Sequence, residues 1–205
     1  MLIHELSLDE QETLATYECE RIVEANSEVN FSVEYGVQEF AYFSHLLPLG
    51  RVLDLGCGSA PHARFFSQPD YEYVGIDMSV GMLRQAKEWE PDKMFFRMHM
   101  QSLSFRDGCF DGFWSFAALP HIPKQKIGGV LREIARVTRH GGIGCMLMVQ
   151  GECEKMVEYD GTRALVAGYA REELKEIMGR SHLRTIECSE GECGDLLCIV
   201  EVDKK

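Results

Sequence analysis

Two short apolar runs, each ending in an acidic residue, constrain the fold of this chain more than any other feature. The first is VLDLGCGSA at residues 52–60 and the second is VGIDMS at residues 74–79. Runs that are apolar almost throughout are typical of parallel strands buried on both faces. A glycine turn after one strand and an acid about 20 residues later are typical of a nucleoside-binding α/β site. The two runs therefore predict a parallel sheet with a ligand at the carboxyl ends of its strands.

The rest of the chain alternates strand and helix patterns, which is typical of one doubly wound, Rossmann-like α/β domain. Seven strands are predicted: Val52–Leu55, Tyr73–Ile76, Met94–Met98, Phe110–Phe116, Ile143–Val149, Arg184–Ser189 and Leu196–Val202. Helices are predicted over Asp9–Glu24, Gly36–Leu47, Pro61–Ser67, Val80–Trp89, Lys124–Arg139 and Arg171–Met178. The last two strands are expected to form an antiparallel hairpin on the mostly parallel sheet. We interpret residues 1–205 as a single domain, with a helical extension over 1–35 and the α/β core over 36–205.

Composition narrows the choice of partner. The 205 residues include 21 basic and 33 acidic ones, a net charge of −12, which disfavours nucleic acid held through its phosphates. No stretch approaches the roughly 20 apolar residues of a membrane span, and the N-terminus lacks the pattern of a signal peptide. The eight cysteines include no CxxC pair and no histidine at zinc spacing, so no metal is predicted. We expect a cytoplasmic protein, monomeric or homodimeric, with a small-molecule substrate.

The acids and the turn indicate which nucleoside would bind. Asp77 can accept hydrogen bonds from both hydroxyls of an unmodified ribose. A dinucleotide fingerprint needs a third glycine where this chain has Pro61, and Asp54 would repel a pyrophosphate while suiting an ammonium group. The expected ligand therefore carries adenosine-like hydroxyls and a cationic amine. The glycines alone are also compatible with an ordinary tight turn between a strand and a helix.

These motifs resemble those of the class I S-adenosylmethionine-dependent methyltransferases, in particular the methyltransferase type 11 branch. Three further segments resemble the family in the same order: HMQSLSFRDGCFDGFWSFAALPHI, LREIARVTRHGGIGCMLMV and YAREELKEIM. The similarity runs from about residue 36 to residue 202. It implies an enzyme that uses S-adenosylmethionine and releases S-adenosylhomocysteine.

By this resemblance, ten residues contact the methionine part, the ribose, the adenine and the reacting end of the cofactor: Asp54, Gly56, Cys57, Gly58, Asp77, Met78, His99, Met100, Phe116 and Ala117. The chain departs from the family at two positions. Ala60 stands where a third glycine is frequent, and we expect only a slightly tighter turn. His99 stands where an acid is frequent, and a neutral imidazole could accept a hydrogen bond from the adenine amino group.

Methyl transfer needs an acceptor held in line, exclusion of water and, for a protonated nucleophile, a base. His121, just after the fourth strand, is the candidate base. By resemblance, the segment before the first strand forms a lid, with Tyr17, Phe31 and Tyr35 as candidate substrate contacts, and an irregular stretch over 151–169 forms the opposite wall. The leading hypothesis is a small-molecule methyltransferase. A protein or RNA methyltransferase and a non-catalytic cofactor-binding module remain open, and a nicotinamide dehydrogenase fits the motifs least.

Overall fold

The computed structural model describes residues 6–29, 36–191 and 194–204, and within the first range the side chains of 26–29 are not described. Phe31 and Tyr35, two candidate substrate contacts, lie outside the described residues. The α-helices are α1 Leu8–Glu18, α2 Glu20–Val29, α3 Val37–Leu46, α4 Val80–Trp89, α5 Lys124–Val137 and α6 Arg171–Arg180. The strands are β1 Gly50–Leu55, β2 Tyr71–Asp77, β3 Met94–Arg97, β4 Phe110–Phe116, β5 Thr138–Gln150, β6 Glu154–Tyr159, β7 Thr162–Tyr169, β8 Leu183–Glu190 and β9 Asp195–Val202.

The sheet has the doubly wound order β3-β2-β1-β4-β5, with all four of these neighbouring pairs parallel. On the far side of β5, β9 pairs with it antiparallel, and β8 then pairs with β9. Because β1, β2 and β4 are parallel, their carboxyl ends meet at one edge of the sheet. The predicted α/β fold with a mostly parallel sheet and a C-terminal antiparallel hairpin is confirmed.

The described residues form a sheet of nine strands, so the prediction of seven was wrong. The stretch over 151–169, predicted to be irregular, forms the hairpin β6–β7. Its turn is Asp160-Gly161, with positive φ of 45° and 77°, and an Asp-Gly pair between two strands is a recognised hairpin signal. Beyond the end of β4, the longer β5 pairs with β7 at Val149 and Gln150.

Two helix predictions also need correction. The helix expected over Asp9–Glu24 is two helices, because Cys19 adopts an extended conformation between α1 and α2. The break directs the end of α1 toward the start of α4. The helix expected over Pro61–Ser67 is only a 3-10 turn, Ala63–Phe66.

The core occupies both faces of the sheet. On one face α5 and α6 pack against Leu53, Ile76 and Met146. On the other face α3 and the 3-10 turn bring Phe43 and Phe66 edge-to-face against Trp114 of β4. Burial of this apolar surface on both sides holds the central strands, and hence their carboxyl ends, in fixed positions.

Candidate active site

The glycine turn after β1 places two glycines in different surroundings. Gly56 has φ of +68°, and a Cβ there would lie 2.3 Å from Cβ of Ala118. Gly58 has φ of +54°, and a Cβ there would meet no atom within 4 Å. Both backbones are in the left-handed region that favours glycine. Gly56 is therefore required for loop-to-loop packing, whereas Gly58 faces open space that a ligand can fill.

Ala60, where the family often has a third glycine, also has a left-handed backbone, with φ of 60°. The expectation of a slightly tighter turn missed this feature. A non-glycine residue in this conformation costs about 1 kcal/mol. The Ala60 methyl lies in the buried cluster around Trp114, away from the cavity described below. Alanine at position 60 therefore strains the backbone but takes no space from a ligand.

Asp77, at the end of β2, is held by backbone N–H groups from two loops. Its Oδ2 accepts from Gly58 N at 2.9 Å and its Oδ1 accepts from Ser79 N at 2.8 Å. Burial raises the pKa of Asp77, and these hydrogen bonds lower it. Each carboxylate oxygen retains a second lone pair, so Asp77 can still accept from a ligand.

Asp54, at the end of β1, is only 2% exposed, and its Oδ2 accepts a hydrogen bond from the Tyr73 hydroxyl at 2.7 Å. Burial raises the pKa of Asp54 to about 7, although the Tyr73 hydrogen bond lowers it. No cation of the described residues forms an ion pair with this carboxylate at 4 Å or less. A positively charged ligand in the adjoining cavity would favour its ionised form.

His99 follows β3, and its tautomer is fixed by a backbone contact. Its Nδ1 accepts a hydrogen bond from Gln101 N at 3.1 Å. Burial lowers the pKa of His99 to about 4, so the ring is neutral and its proton lies on Nε2. His99 therefore cannot accept a hydrogen bond from an adenine amino group, as had been expected. Its Nδ1 is already occupied by Gln101 N, and its Nε2 is a donor. The Nε2–H group suits a ring nitrogen instead.

His121 and Tyr17 are brought together by the fold. Tyr17, on α1, and His121, in the 3-10 turn Leu119–His121 after β4, approach to 2.8 Å between Oη and Nε2. Nδ1 of His121 lies 2.6 Å from the carbonyl oxygen of Leu165 on β7. Since a carbonyl only accepts, Nδ1 carries the proton and Nε2 accepts from the tyrosine. Burial lowers the pKa of His121 and raises that of Tyr17, so both groups are neutral.

Helix α1 is fixed over this edge of the sheet at both ends. At its start, buried Glu10 accepts from Lys126 Nζ at 2.6 Å and from Gln101 Nε2 at 3.0 Å. At its end, Glu18 accepts from the N–H groups of Val80 and Gly81, at 2.9 and 3.1 Å. These are the unsatisfied first-turn N–H groups of α4, where a carboxylate is favoured.

The glycine turn, the acids at the ends of β1 and β2, His99 and the Tyr17–His121 pair surround one cavity of about 450 Å³. Every described residue that was predicted to contact cofactor or substrate, or to act as the base, lines it: Tyr17, Asp54, Gly56, Cys57, Gly58, Asp77, Met78, His99, Met100, Phe116, Ala117 and His121. Their assignment to cofactor, base or substrate stays a prediction. The hairpin β6–β7, expected as a wall, supplies no described lining residue and instead lies behind His121 and α1.

Sequence reasoning missed the contribution of α1 beyond Tyr17. Glu10, Thr13 and Leu14 also line the cavity. A signal for the start of this helix was present, because Ser7 and Glu10 form a capping box in which each side chain accepts from the other's backbone. Nothing in that pattern indicates that the helix covers a ligand site. Ser59 is a further missed lining residue, and its buried hydroxyl has no hydrogen-bond partner among the described residues.

Within the part of the chain that the structure describes, no group of three or more His, Cys, Asp or Glu side chains could hold a metal ion.

Among the described helices, none combines the length and apolar character needed to cross a membrane.

The chain is similar to known methyltransferases over part of its length. Residues 52–142 match the sequence profile of the methyltransferase domain family. The chain is 36% identical over 103 residues to 2-methyl-6-phytyl-1,4-hydroquinone methyltransferase of Synechocystis sp. This alignment covers 47% of this chain and 31% of the relative. The chain is also 34% identical over 95 residues to demethylmenaquinone methyltransferase of Beutenbergia cavernae. This second alignment covers 46% of this chain and 39% of the relative. The match thus spans about a third of each relative's length.

The fold matches solved structures over nearly the whole chain. The 1,6-didemethyltoxoflavin-N1-methyltransferase of Burkholderia thailandensis, solved with 1,6-didemethyltoxoflavin and S-adenosylhomocysteine, superposes with a TM-score of 0.75. The alignment covers 97% of this chain and 92% of that one at 17% sequence identity. At this identity the likeness establishes the fold.

Proposed function

We propose that this chain is a class I S-adenosylmethionine-dependent methyltransferase that transfers a methyl group to a small-molecule acceptor. Residues 52–142 match the methyltransferase domain family, and the fold matches that of a methyltransferase solved with S-adenosylhomocysteine. One observation carries the proposal. The acids that end β1 and β2, Asp54 and Asp77, converge with the glycine turn on a single cavity. An apolar pocket with a few placed polar groups is the usual form of a small-molecule site.

The residues present fit S-adenosylmethionine. Asp77 has lone pairs for ribose hydroxyls, and buried Asp54 lies where a cationic amine would offset its desolvation. Gly58 leaves open space beside Asp77, and His99 offers an Nε2–H donor to an adenine ring nitrogen. When bound, the donor supplies a methyl group already activated on a sulfonium.

We assign the proton transfer to the Tyr17–His121 pair. Nε2 of His121 is occupied by the Tyr17 hydroxyl, so the histidine reaches an acceptor through the tyrosine. As the tyrosine oxygen takes a proton from the acceptor, its own proton passes to Nε2. The Leu165 carbonyl, bonded to Nδ1–H, holds the ring in the required tautomer. This role extends the candidate base from one residue to two.

We assign the role of lid to α1, in keeping with the interpretation of residues 1–35 as an extension over the core. Thr13 Oγ1 accepts from Leu165 N at 2.8 Å, and Thr16 Oγ1 donates to Arg163 O at 2.6 Å. With the Glu10 and Glu18 contacts, these bonds fix the helix against both β7 and α4. A ligand enters when these contacts open, and their closure excludes water.

A small-molecule acceptor is favoured by the size of the cavity and by the named activities of the relatives, which are hydroquinone and demethylmenaquinone methyltransferases. The net charge of −12 disfavours RNA as the acceptor. A protein acceptor and binding without catalysis are outcomes of the second experiment below.

The cofactor assignment is tested by calorimetric titration with S-adenosylhomocysteine. Asp77→Asn removes the charge and one acceptor, and we expect the Kd to rise by about 10- to 100-fold, as for loss of charge-assisted hydrogen bonds. Asp92→Asn, at an exposed position outside the cavity, is the control and should bind like the wild type. If both variants bind S-adenosylhomocysteine with equal affinity, Asp77 is not a ribose contact. If the wild type does not bind it, the assignment of S-adenosylmethionine as the cofactor is rejected.

The acceptor is sought by incubating the protein with a metabolite extract and, separately, with a protein fraction, each with methyl-labelled donor. Label in a small product supports the proposal. Label only in protein would replace it with a protein methyltransferase. Donor binding without label in either fraction would favour a cofactor-binding module.

A further inference from the structure

Two cysteines lie directly opposite each other on the terminal hairpin, away from the cavity. Cys188 on β8 and Cys198 on β9 are register partners, and their Sγ atoms are 3.2 Å apart. Opposite residues of antiparallel strands have Cα atoms about 4.5–5.5 Å apart, within the range that a disulfide spans. Bond formation therefore requires the sulfurs to approach by about 1 Å, with no change of strand register.

The two thiols differ in a way that suits an ordered oxidation. Cys198 is fully buried in the core cluster with Leu174 and Met178 of α6, whereas Cys188 is partly exposed at the edge of that cluster. An attacking cysteine needs access to an oxidant, and a resolving cysteine needs only to touch the attacking one.

The charges around Cys188 favour its thiolate. The hydrogen bond with Cys198 lowers the pKa of Cys188 most, and the positive charges of Lys175 and Arg171 on α6 lower it further. Burial and the carboxylate of Glu172 act in the opposite direction, but the net pKa of Cys188 is lowered. A lowered pKa increases the fraction of Cys188 that is present as the nucleophilic thiolate at neutral pH.

We infer that Cys188 and Cys198 form a reversible intramolecular disulfide when the protein meets a peroxide. The Cys188 thiolate attacks one oxygen of hydrogen peroxide, the O–O bond breaks, and hydroxide leaves as Cys188 becomes a sulfenic acid. The Cys198 thiol then attacks the Cys188 sulfur, the S–O bond breaks, and the departing hydroxide takes the thiol proton as water. Overall, two thiols are oxidised and one peroxide is reduced to two water molecules.

The test is non-reducing peptide mapping of the full chain after brief exposure to hydrogen peroxide. We expect a peptide that joins Cys188 to Cys198, lighter by two hydrogen atoms, which dithiothreitol separates. The exposed Cys153 is the matched control, and Cys153→Ser should form the same link. In Cys198→Ala the link should disappear, and dimedone should trap a sulfenic acid at Cys188.

Cys193 lies between the pair in sequence and outside the described residues, so Cys193→Ser decides a competing assignment. The Cys188–Cys198 link should persist in this variant. Its loss, a link that includes Cys193, or oxidation of Cys153 while both hairpin cysteines remain alkylatable would overturn the inference. No described residue of β8 or β9 lines the cavity, so S-adenosylhomocysteine affinity should be equal in the oxidised and reduced protein.

Discussion

The hydroxyl of Tyr17 lies 2.8 Å from Nε2 of His121, although 104 positions separate the two residues in the chain. Their rings also meet edge-to-face, with centroids 5.2 Å apart. The contact joins the helix that covers the cavity to the turn that follows β4. Under the proposed function, this contact couples closure of α1 over the cavity to placement of the candidate base.

Tyr17→Phe tests the relay, because it keeps the ring contact and removes only the hydroxyl. We expect the rate of methyl transfer to fall by about 100-fold or more, as for loss of a general base. S-adenosylhomocysteine affinity should change little, since the hydroxyl bonds to His121. Single-turnover assays with the acceptor found in the extract measure the rate. Tyr42→Phe, on α3 and outside the cavity, should keep the wild-type rate, and a full rate in Tyr17→Phe would exclude the relay.

The raised pKa of Asp54 predicts a pH dependence of cofactor binding. Below a pKa of about 7 the carboxyl is protonated and neutral, so it no longer attracts a cationic amine. We expect S-adenosylhomocysteine affinity to fall as the pH is lowered from 8 to 6, with proton release on binding near neutrality. Tyr73→Phe removes the hydrogen bond that lowers this pKa and should move the midpoint to higher pH. Asp54→Asn should bind S-adenosylhomocysteine with no such pH dependence. An unchanged pH dependence in that variant would show that another group titrates.

Glu10→Ala removes the buried end of the contact that fixes α1. We expect the free energy of unfolding to fall by about 2 kcal/mol, since Lys126 loses its partner and Gln101 loses an acceptor. Urea denaturation measures the loss. Glu12 is on the same helix and forms an exposed ion pair with Arg163 of β7, so Glu12→Ala should cost less than about 0.5 kcal/mol. Equal costs would show that Glu10 does not fix the lid.

The same contact gives α1 an acid sensitivity. Burial raises the pKa of Glu10, but the hydrogen bonds from Lys126 and Ser7 outweigh it, and the net pKa is lowered. A lowered carboxyl pKa contributes stability above its unfolded value, and this stability is lost as the pH falls through the folded value. The difference in stability between wild type and Glu10→Ala should therefore shrink at low pH.

Gly56→Ala and Gly58→Ala test whether the first glycine serves packing and the second leaves space for the ligand. Both add a Cβ to a left-handed residue, at a cost of about 1 kcal/mol. In Gly56→Ala the new methyl also clashes with Ala118, so we expect the larger loss of thermal stability. In Gly58→Ala the methyl enters open space, so we expect weaker S-adenosylhomocysteine binding with a smaller loss of stability. The reverse pattern would contradict the assignment of Gly58 to the cofactor.

The central fold was predictable because its signals are local. The apolar runs of β1 and β2 identify buried parallel strands, and the acids Asp54 and Asp77 mark where those strands end. The hairpin β6–β7 had a local signal as well, the Asp160-Gly161 turn, and reading it would have given nine strands instead of seven.

The local pattern of apolar runs, acids and glycines was enough to place the glycine turn and the strand ends, and parallel strands then bring those ends to one edge of the sheet. What covers that edge became visible only in the folded chain. The approach of Tyr17 to His121, the partner of Glu10 and the His99 tautomer depend on contacts between segments far apart in the chain. Such contacts follow from the packing of whole elements, and a single sequence carries no periodic signal for them.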